Sequence, residues 1–249
     1  MHVIKLTISY DGTAYSGWQI QPNGVTIQEL IQKAVREMTG EENNVVGAGR
    51  TDAGVHAFAQ VASFRTERDI STDGFWQGLN SSLPPDIRIV VVEEASESFH
   101  PIRDSKSKHY RYIISVGGFE DPLNLNRSWF MRRPFDLELM NQAAGCLVGE
   151  QDFSAFRASD ASGASPVKSV FSAHWNEEKL TDKYINYYFE IKGNGFLKNM
   201  VRNIVGTLVD VGLKKITPDD FKNILDSKDR KKAGICAPAS GLYLVSVEY

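Results

Sequence analysis

Lys183-Tyr-Ile-Asn-Tyr-Tyr-Phe-Glu-Ile-Lys192 and, just beyond it, Gly195-Phe-Leu-Lys-Asn-Met-Val-Arg-Asn-Ile-Val-Gly-Thr-Leu-Val-Asp-Val211 decide the fold class. In the first stretch Ile185, Tyr187, Phe189 and Ile191 alternate strictly, the period of a strand with one buried face. In the second, Met200, Ile204, Leu208 and Val211 return to one side of a helix spanning residues 195–211. Toward the C-terminus, Thr217-Pro218-Asp219-Asp220 opens another helix with proline at its first position, and residues 242–247 read as a last strand. Toward the N-terminus, residues 167–175 and 108–116 are strands, the latter with Tyr110, Tyr112 and Ile114 on one face. Between them Asp136 caps a helix carrying Leu139, Met140, Ala143, Ala144 and Leu147, closed by Gly149.

The first hundred residues have a similar rhythm. Alternation from Val3 ends at Tyr10-Asp11-Gly12 and resumes at Trp18-Gln19-Ile20. Thr26-Ile27-Gln28-Glu29 is a capping box, followed by Leu30, Ile31, Ala34, Val35 and Met38 on one helical stripe, and Gly40 stops it. Residues 44–48 and 55–65 are predicted strands around a glycine-bounded loop, 47–54. A helix over 73–81 ends before Leu83-Pro84-Pro85, and residues 87–94 form a further strand. Strands and helices mixed without regular βαβ alternation predict an α+β fold with antiparallel sheets. A polar stretch at 96–105, interrupted by Pro101, divides the chain into halves 1–105 and 106–249. Residues 159–165 read as a flexible loop.

The chain has 249 residues, 42% hydrophobic and 24% charged, enough apolar matter for a sizeable core. Lys+Arg number 28 against Asp+Glu 31, a net charge of −3, which argues against a globally basic nucleic-acid binder but leaves a local basic groove open. The acids gather between Glu67 and Glu97. No apolar run reaches membrane-spanning length, and the N-terminus reads as a strand, not a signal peptide. Cys146 and Cys236 stand apart without metal-ligand spacing, which fits a reducing compartment; a cytoplasmic protein is expected.

Gly47-Ala-Gly-Arg-Thr-Asp-Ala-Gly-Val-His56 is the most unusual segment. It lacks the Gly-Lys-Ser/Thr of a P-loop and the third glycine of a dinucleotide fingerprint. It offers a carboxylate, Asp52, two residues from a guanidinium, Arg50, among small residues that let another molecule approach. A carboxylate held ionised by a cation serves as nucleophile or base; a turn capped by Thr51 or Asp52 is the other reading. Arg103, Lys106, Lys108 and Arg111 surround Tyr110, a pattern that suits an RNA backbone with a base on the ring, or else a charged edge strand. Lys198 and Arg202, four apart, fall on one face of the predicted helix, where Arg202 either reaches into a cleft or snorkels at the surface. Residues 214–232, with seven Lys/Arg and four Asp, read as a solvated helix with at most incidental RNA contact, and the five histidines show no metal-ligand spacing.

Several of these motifs, in order and over almost the whole chain, resemble the A-type tRNA pseudouridine synthases (tRNA pseudouridine synthase I). Gly49-Arg-Thr-Asp-Ala-Gly-Val-His-Ala57 resembles the family signature. It is accompanied by Tyr10-Asp-Gly-Thr-Ala-Tyr-Ser-Gly-Trp-Gln19, Lys108-His-Tyr-Arg-Tyr112, Asp152-Phe-Ser-Ala-Phe-Arg157, Met200-Val-Arg-Asn-Ile-Val-Gly206 and Ala237-Pro238. The resemblance implies two similar α/β halves with antiparallel sheets flanking a central active-site cleft. It implies an isomerase that converts uridine to pseudouridine at positions 38, 39 and 40 of the tRNA anticodon stem-loop, without cofactor or metal, as a homodimer with tRNA across both subunits. Asp52 would be the catalytic nucleophile, attacking C6 of the uracil or C1′ of the ribose, and Arg202 would pair with it. Tyr110 would stack on the target base and Arg50 would hold that base out of its stack. Phe99 and Arg103 match positions that contact tRNA, and Leu242 and Leu244 would floor an apolar pocket. One departure stands out: Ala164-Ser165-Pro166 replaces the family's basic residue before Thr-Pro. Two rival readings are a non-catalytic RNA-binding module and a glycosidase-like hydrolase with Asp52 in a carboxylate pair.

Overall fold

A computed structural model describes residues 1–159, 165–181 and 183–249. Most of the 159–165 loop, Ala164 included, therefore lies outside the described residues. The chain divides into two compact units, Met1–Lys106 with Tyr243–Tyr249, and Ser107–Leu242.

The first unit opens with β1 (His2–Tyr10), α1 (Ile27–Thr39), β2 (Val46–Gly47), β3 (His56–Thr66), α2 (Thr72–Ser82) and β4 (Ile87–Ala95). β1 lies between β3 and β4 and runs antiparallel to both, Leu6 facing Ala62 on one side and Val92 on the other. Ile4, Leu6 and Ile8 are buried, as their alternation requires. α1 starts where the Thr26 hydroxyl accepts from the Glu29 N–H and stops at left-handed Gly40, burying Ile31, Ala34 and Val35. The predicted 44–48 strand shrinks to β2. The predicted strand at Trp18-Gln19-Ile20 does not form, because its backbone is committed elsewhere. Trp18 N–H donates to the Thr51 carbonyl at 3.0 Å, and the Trp18 carbonyl accepts from Gln28 N–H at 3.0 Å.

The second unit contains β5 (Ser107–Gly117), β6 (Trp129–Met131), α3 (Leu137–Gly145), β7 (Gly149–Asp152), β8 (Val167–Thr181), β9 (Tyr184–Gly193), α4 (Met200–Gly212) and α5 (Pro218–Ser227). β9 lies between β5 and β8, antiparallel to each, so Phe189 faces Tyr112 on one side and Trp175 on the other. β7 adds antiparallel to β8, and short β6 adds parallel to β5. Two helix boundaries differ from expectation. α3 ends at Gly145; Gly149, at φ 108°, opens β7 instead of closing the helix. α4 starts at Met200 because Asn199 adopts a left-handed conformation at φ 61°. Residues 195–199 are thus a loop, and Lys198 lies before the helix that carries Arg202. Within α4, Met200, Ile204, Leu208 and Val211 are fully buried, each contributing about 1.5–3 kcal/mol by burial.

β10 (Leu242–Glu248) closes the chain. It pairs parallel with β3, Tyr243 facing His56 and Leu244 facing Ala57. Residues Tyr243–Tyr249, which include all of β10 but its first residue, group with the first unit, whereas the sequence reading places all of 106–249 together. The architecture is α+β with mostly antiparallel strand pairing; β3 with β10 and β5 with β6 pair parallel. No described helix is long and apolar enough to cross a membrane.

Candidate active site

Asp52 opens a tight turn. Val55 N–H donates to the Asp52 carbonyl at 3.1 Å, and Gly54 sits at φ 78°. A positive φ at the third position defines a type II turn, which only glycine adopts without strain. The chain on either side is anchored. Thr51, buried, shares a 2.8 Å hydrogen bond between its hydroxyl and that of Tyr10, and Gln60 donates to the Gly49 carbonyl at 3.0 Å. Burial pushes the Tyr10 phenol up to about 12, against the opposing hydrogen bonds of Thr51 and Gln60, so it is a neutral hydroxyl at physiological pH.

The Tyr10–Gln19 motif has its explanation here. Gly12 packs so tightly on the turn that a Cβ would collide with the Val55 carbonyl, and its N–H donates to His56 Nδ1 at 3.1 Å. His56 itself is buried and stacked on Tyr243, with ring centroids 4.7 Å apart. What this buttress leaves outward is small: Asp52 is half-buried, Ala53 exposed. Arg50 is exposed, and its guanidinium makes no hydrogen bond or ion pair among the described residues.

Phe99 and Arg103 lie in the turn before β5. The Phe99 ring packs on Tyr249 at 5.0 Å with the Lys5 ammonium 6.0 Å from its centroid, and is half-buried. Arg103 is exposed but held, donating to the Ser98 carbonyl at 2.7 Å and to Asp104 at 3.2 Å.

Tyr110 and Arg202 belong to the second unit. Tyr110 is buried on β5 and forms a T-shaped pair with Phe196, ring centroids 5.2 Å apart and planes at 81°. Its neighbours along the strand are clamped by one carboxylate. His109 Nε2 lies 2.6 Å and Arg111 Nε 2.5 Å from the two oxygens of Glu190, on the facing strand. Burial alone would raise the Glu190 carboxyl, but the hydrogen bonds from His109 and Arg111 outweigh it and hold it below the usual range. Part of the basic stretch 103–111 is therefore neutralised by Asp104 and Glu190. Burial, aided by the like charge of Lys168, pushes the Lys108 ammonium down.

Arg202 projects from the first turn of α4. Its Nε donates to the Ala237 carbonyl at 2.7 Å and its Nη1 to Asn199 at 3.2 Å, while Ala237 N–H returns to the Arg202 carbonyl at 3.1 Å. Beside it, Tyr112 donates to the Pro238 carbonyl at 2.7 Å. Ala237-Pro238 thus supplies two carbonyls that fix the guanidinium and a buried phenol. Leu242 and Leu244 are both buried.

Sequence reasoning gives Glu190 and the Ala237 carbonyl no role and reads Thr51 only as a turn cap. These groups act through partners distant in sequence or through backbone atoms. Among the described residues no group of three or more His, Cys, Asp and Glu side chains could hold a metal.

A family model described as tRNA pseudouridine synthase matches residues 6–102 and 143–249. Proteins named tRNA pseudouridine synthase A are similar over their full length. The one from Thermoanaerobacter sp. (strain X514) is 48% identical over 249 residues, covering 100% of both chains. Those from Geotalea daltonii and Acetivibrio thermocellus are 46% and 45% identical, again over 100% of both chains. A solved structure of a Cbf5-Nop10-Gar1 complex aligns with a TM-score of 0.34 at 10% identity over 97% of this chain and 58% of that one, a likeness that carries no weight. With a match across most of its length and near half of its residues identical to full-length relatives, the chain belongs to the tRNA pseudouridine synthase family.

Proposed function

We propose that this isomerase acts on uridines at positions 38, 39 and 40 of the tRNA anticodon stem-loop, with Asp52 as the nucleophile. That it is a pseudouridine synthase acting on tRNA follows from its family. The reaction breaks the N1–C1′ glycosidic bond, rotates the freed uracil and joins C5 to C1′. The proton lost from C5 is balanced by one gained at N1, so substrate and product are isomers and nothing is oxidised.

The observation that carries the choice of Asp52 is its turn. The backbone around it is pinned by Thr51–Tyr10 and Gly12–Val55, while the carboxylate-bearing residue sits among small, partly exposed neighbours. Rigid support of a reactive group at a surface open to a large substrate is what positional catalysis demands. Arg50, whose guanidinium makes no hydrogen bond or ion pair among the described residues, is the side chain that holds the displaced base out of its stack, an opening that costs a few kcal/mol. Tyr110, fixed edge-on by Phe196, offers a ring for the base to stack on. Arg202, oriented by Ala237 and Asn199, is the cation that pairs with Asp52. Phe99 and Arg103 grip the tRNA further out, and a homodimer carries the tRNA across both subunits.

Asp52→Asn keeps the shape and removes the nucleophilic charge. Tritium release from C5-labelled uridine in tRNA should fall by roughly 10⁴-fold or more, while tRNA binding persists. A non-catalytic RNA-binding module would release no tritium even as wild type, and a glycosidase-like hydrolase would be indifferent to RNA.

A further inference from the structure

We propose that a basic concavity at the C-terminal end of α4 is a second RNA-backbone site, gripping tRNA phosphates away from the base that reacts. The proposal rests on tRNA being the substrate. The cavity measures about 710 Å³ and is walled by residues 131–136 on one side and 212–215 on the other. Its walls are joined by a backbone hydrogen bond, Asp136 N–H to the Gly212 carbonyl at 3.0 Å. Phe135, buried and edge-on to Tyr187 at 5.2 Å, anchors the first wall, and Pro134 restricts its backbone.

Arg132, Arg133, Lys214 and Lys215 line this cavity. The lysines already have carboxylates, Lys214 with Asp136 at 3.0 Å and Lys215 with Asp210 at 2.8 Å. Asp136 also accepts from Leu139 N–H as the cap of α3, so its oxygens are committed. Arg132 and Arg133 are exposed, and their guanidinium groups make no hydrogen bond or ion pair among the described residues. Four cations against two carboxylates leave two positive charges, in a chain whose net charge is −3. Two adjacent, unneutralised guanidiniums, each a planar fork of donors, match the repeated, anionic oxygens of a phosphodiester chain.

The position separates this trough from the chemistry. Arg202 lies in the first turn of α4 and Gly212 at its end, about 15 Å along the axis. The arginine wall hangs on β5 through Val116 facing Met131, about 20 Å along the strand from Tyr110. Either distance corresponds to several base steps of a nucleic-acid strand. The arginines fall in the segment between the two matched by the family model, 6–102 and 143–249.

The test compares wild type with the double variant Arg132→Ala/Arg133→Ala, which removes exposed side chains without partners among the described residues and should melt like wild type. Full-length tRNA transcript and an isolated anticodon stem-loop transcript serve as ligands, with affinity read across a salt series and activity by tritium release. The proposal predicts Kd and KM for full-length tRNA raised about tenfold, kcat unchanged, and the slope of log Kd against log salt shallower by about 1–2. It predicts little change for the isolated stem-loop. Unchanged affinity and slope for full-length tRNA would overturn it and leave the trough to an acidic protein or nothing. Failure of the wild type to release tritium would instead overturn the proposed function, a separable outcome.

Discussion

The hydroxyls of Tyr10 and Thr51 meet at 2.8 Å inside the first unit, tying the end of β1 to the residue before Asp52. Because burial pushes the Tyr10 phenol up to about 12, this is a bond between two neutral hydroxyls throughout the working pH range. Tyr10→Phe keeps the ring and leaves the buried Thr51 hydroxyl without this partner. It should cost about 1–2 kcal/mol in urea unfolding and lower kcat more than it raises KM. Wild-type kcat in this variant would show that the bond does not hold the Asp52 turn.

Gly12 acts on the same turn through space, not through a hydroxyl. In Gly12→Ala the new Cβ meets the Val55 carbonyl, so the backbone of either motif must move. Overpacking of this kind costs about 1–3 kcal/mol, visible as a lowered Tm, with tritium release falling further than stability alone explains. An unperturbed melt and rate would contradict the close packing.

In the second unit, Phe196 fixes the ring of Tyr110 by an edge contact. Phe196→Leu preserves bulk but not the aromatic edge, a loss of about 0.5–1.5 kcal/mol. If Tyr110 orients the base, the variant should lower kcat several-fold with stable folding. An effect confined to stability would assign Phe196 to packing alone.

Glu190 supplies a pH dependence. Its carboxyl is held below the usual range when folded, so it binds fewer protons there than in the unfolded chain. Its contribution is therefore present above the unfolded value of about 4.3 and lost as pH falls through the lower folded value. Glu190→Gln should be less stable near neutrality and should show a flatter decline below about pH 4.3, measured as urea midpoints across pH. Parallel curves for the two proteins would refute the clamp on His109 and Arg111.

The legible parts of the chain are those where one local pattern suffices. The alternation of Ile185, Tyr187, Phe189 and Ile191 has one physical solution, and β9 takes it. α1 is bracketed by Thr26 and Gly40, whose preferences are local. The start of α4 was hidden because Phe196 and Leu197 continue an apolar pattern while left-handed Asn199 breaks the helix. Trp18 looked strand-like because its commitments to Thr51 and Gln28 are tertiary. At the site, the glycines around Asp52 and the cation at Arg202 could be singled out. Their supports could not, since the Tyr10–Thr51 bond spans 41 positions and the Ala237 carbonyl carries no side-chain signature.

The role of Asp52 is tested most directly by tritium release from C5-labelled uridine in tRNA, run side by side with wild type and Asp52→Asn at matched, saturating tRNA. The account predicts stoichiometric release with wild type, none above background with the variant, and similar tRNA affinity for both. Substantial turnover by Asp52→Asn would contradict it.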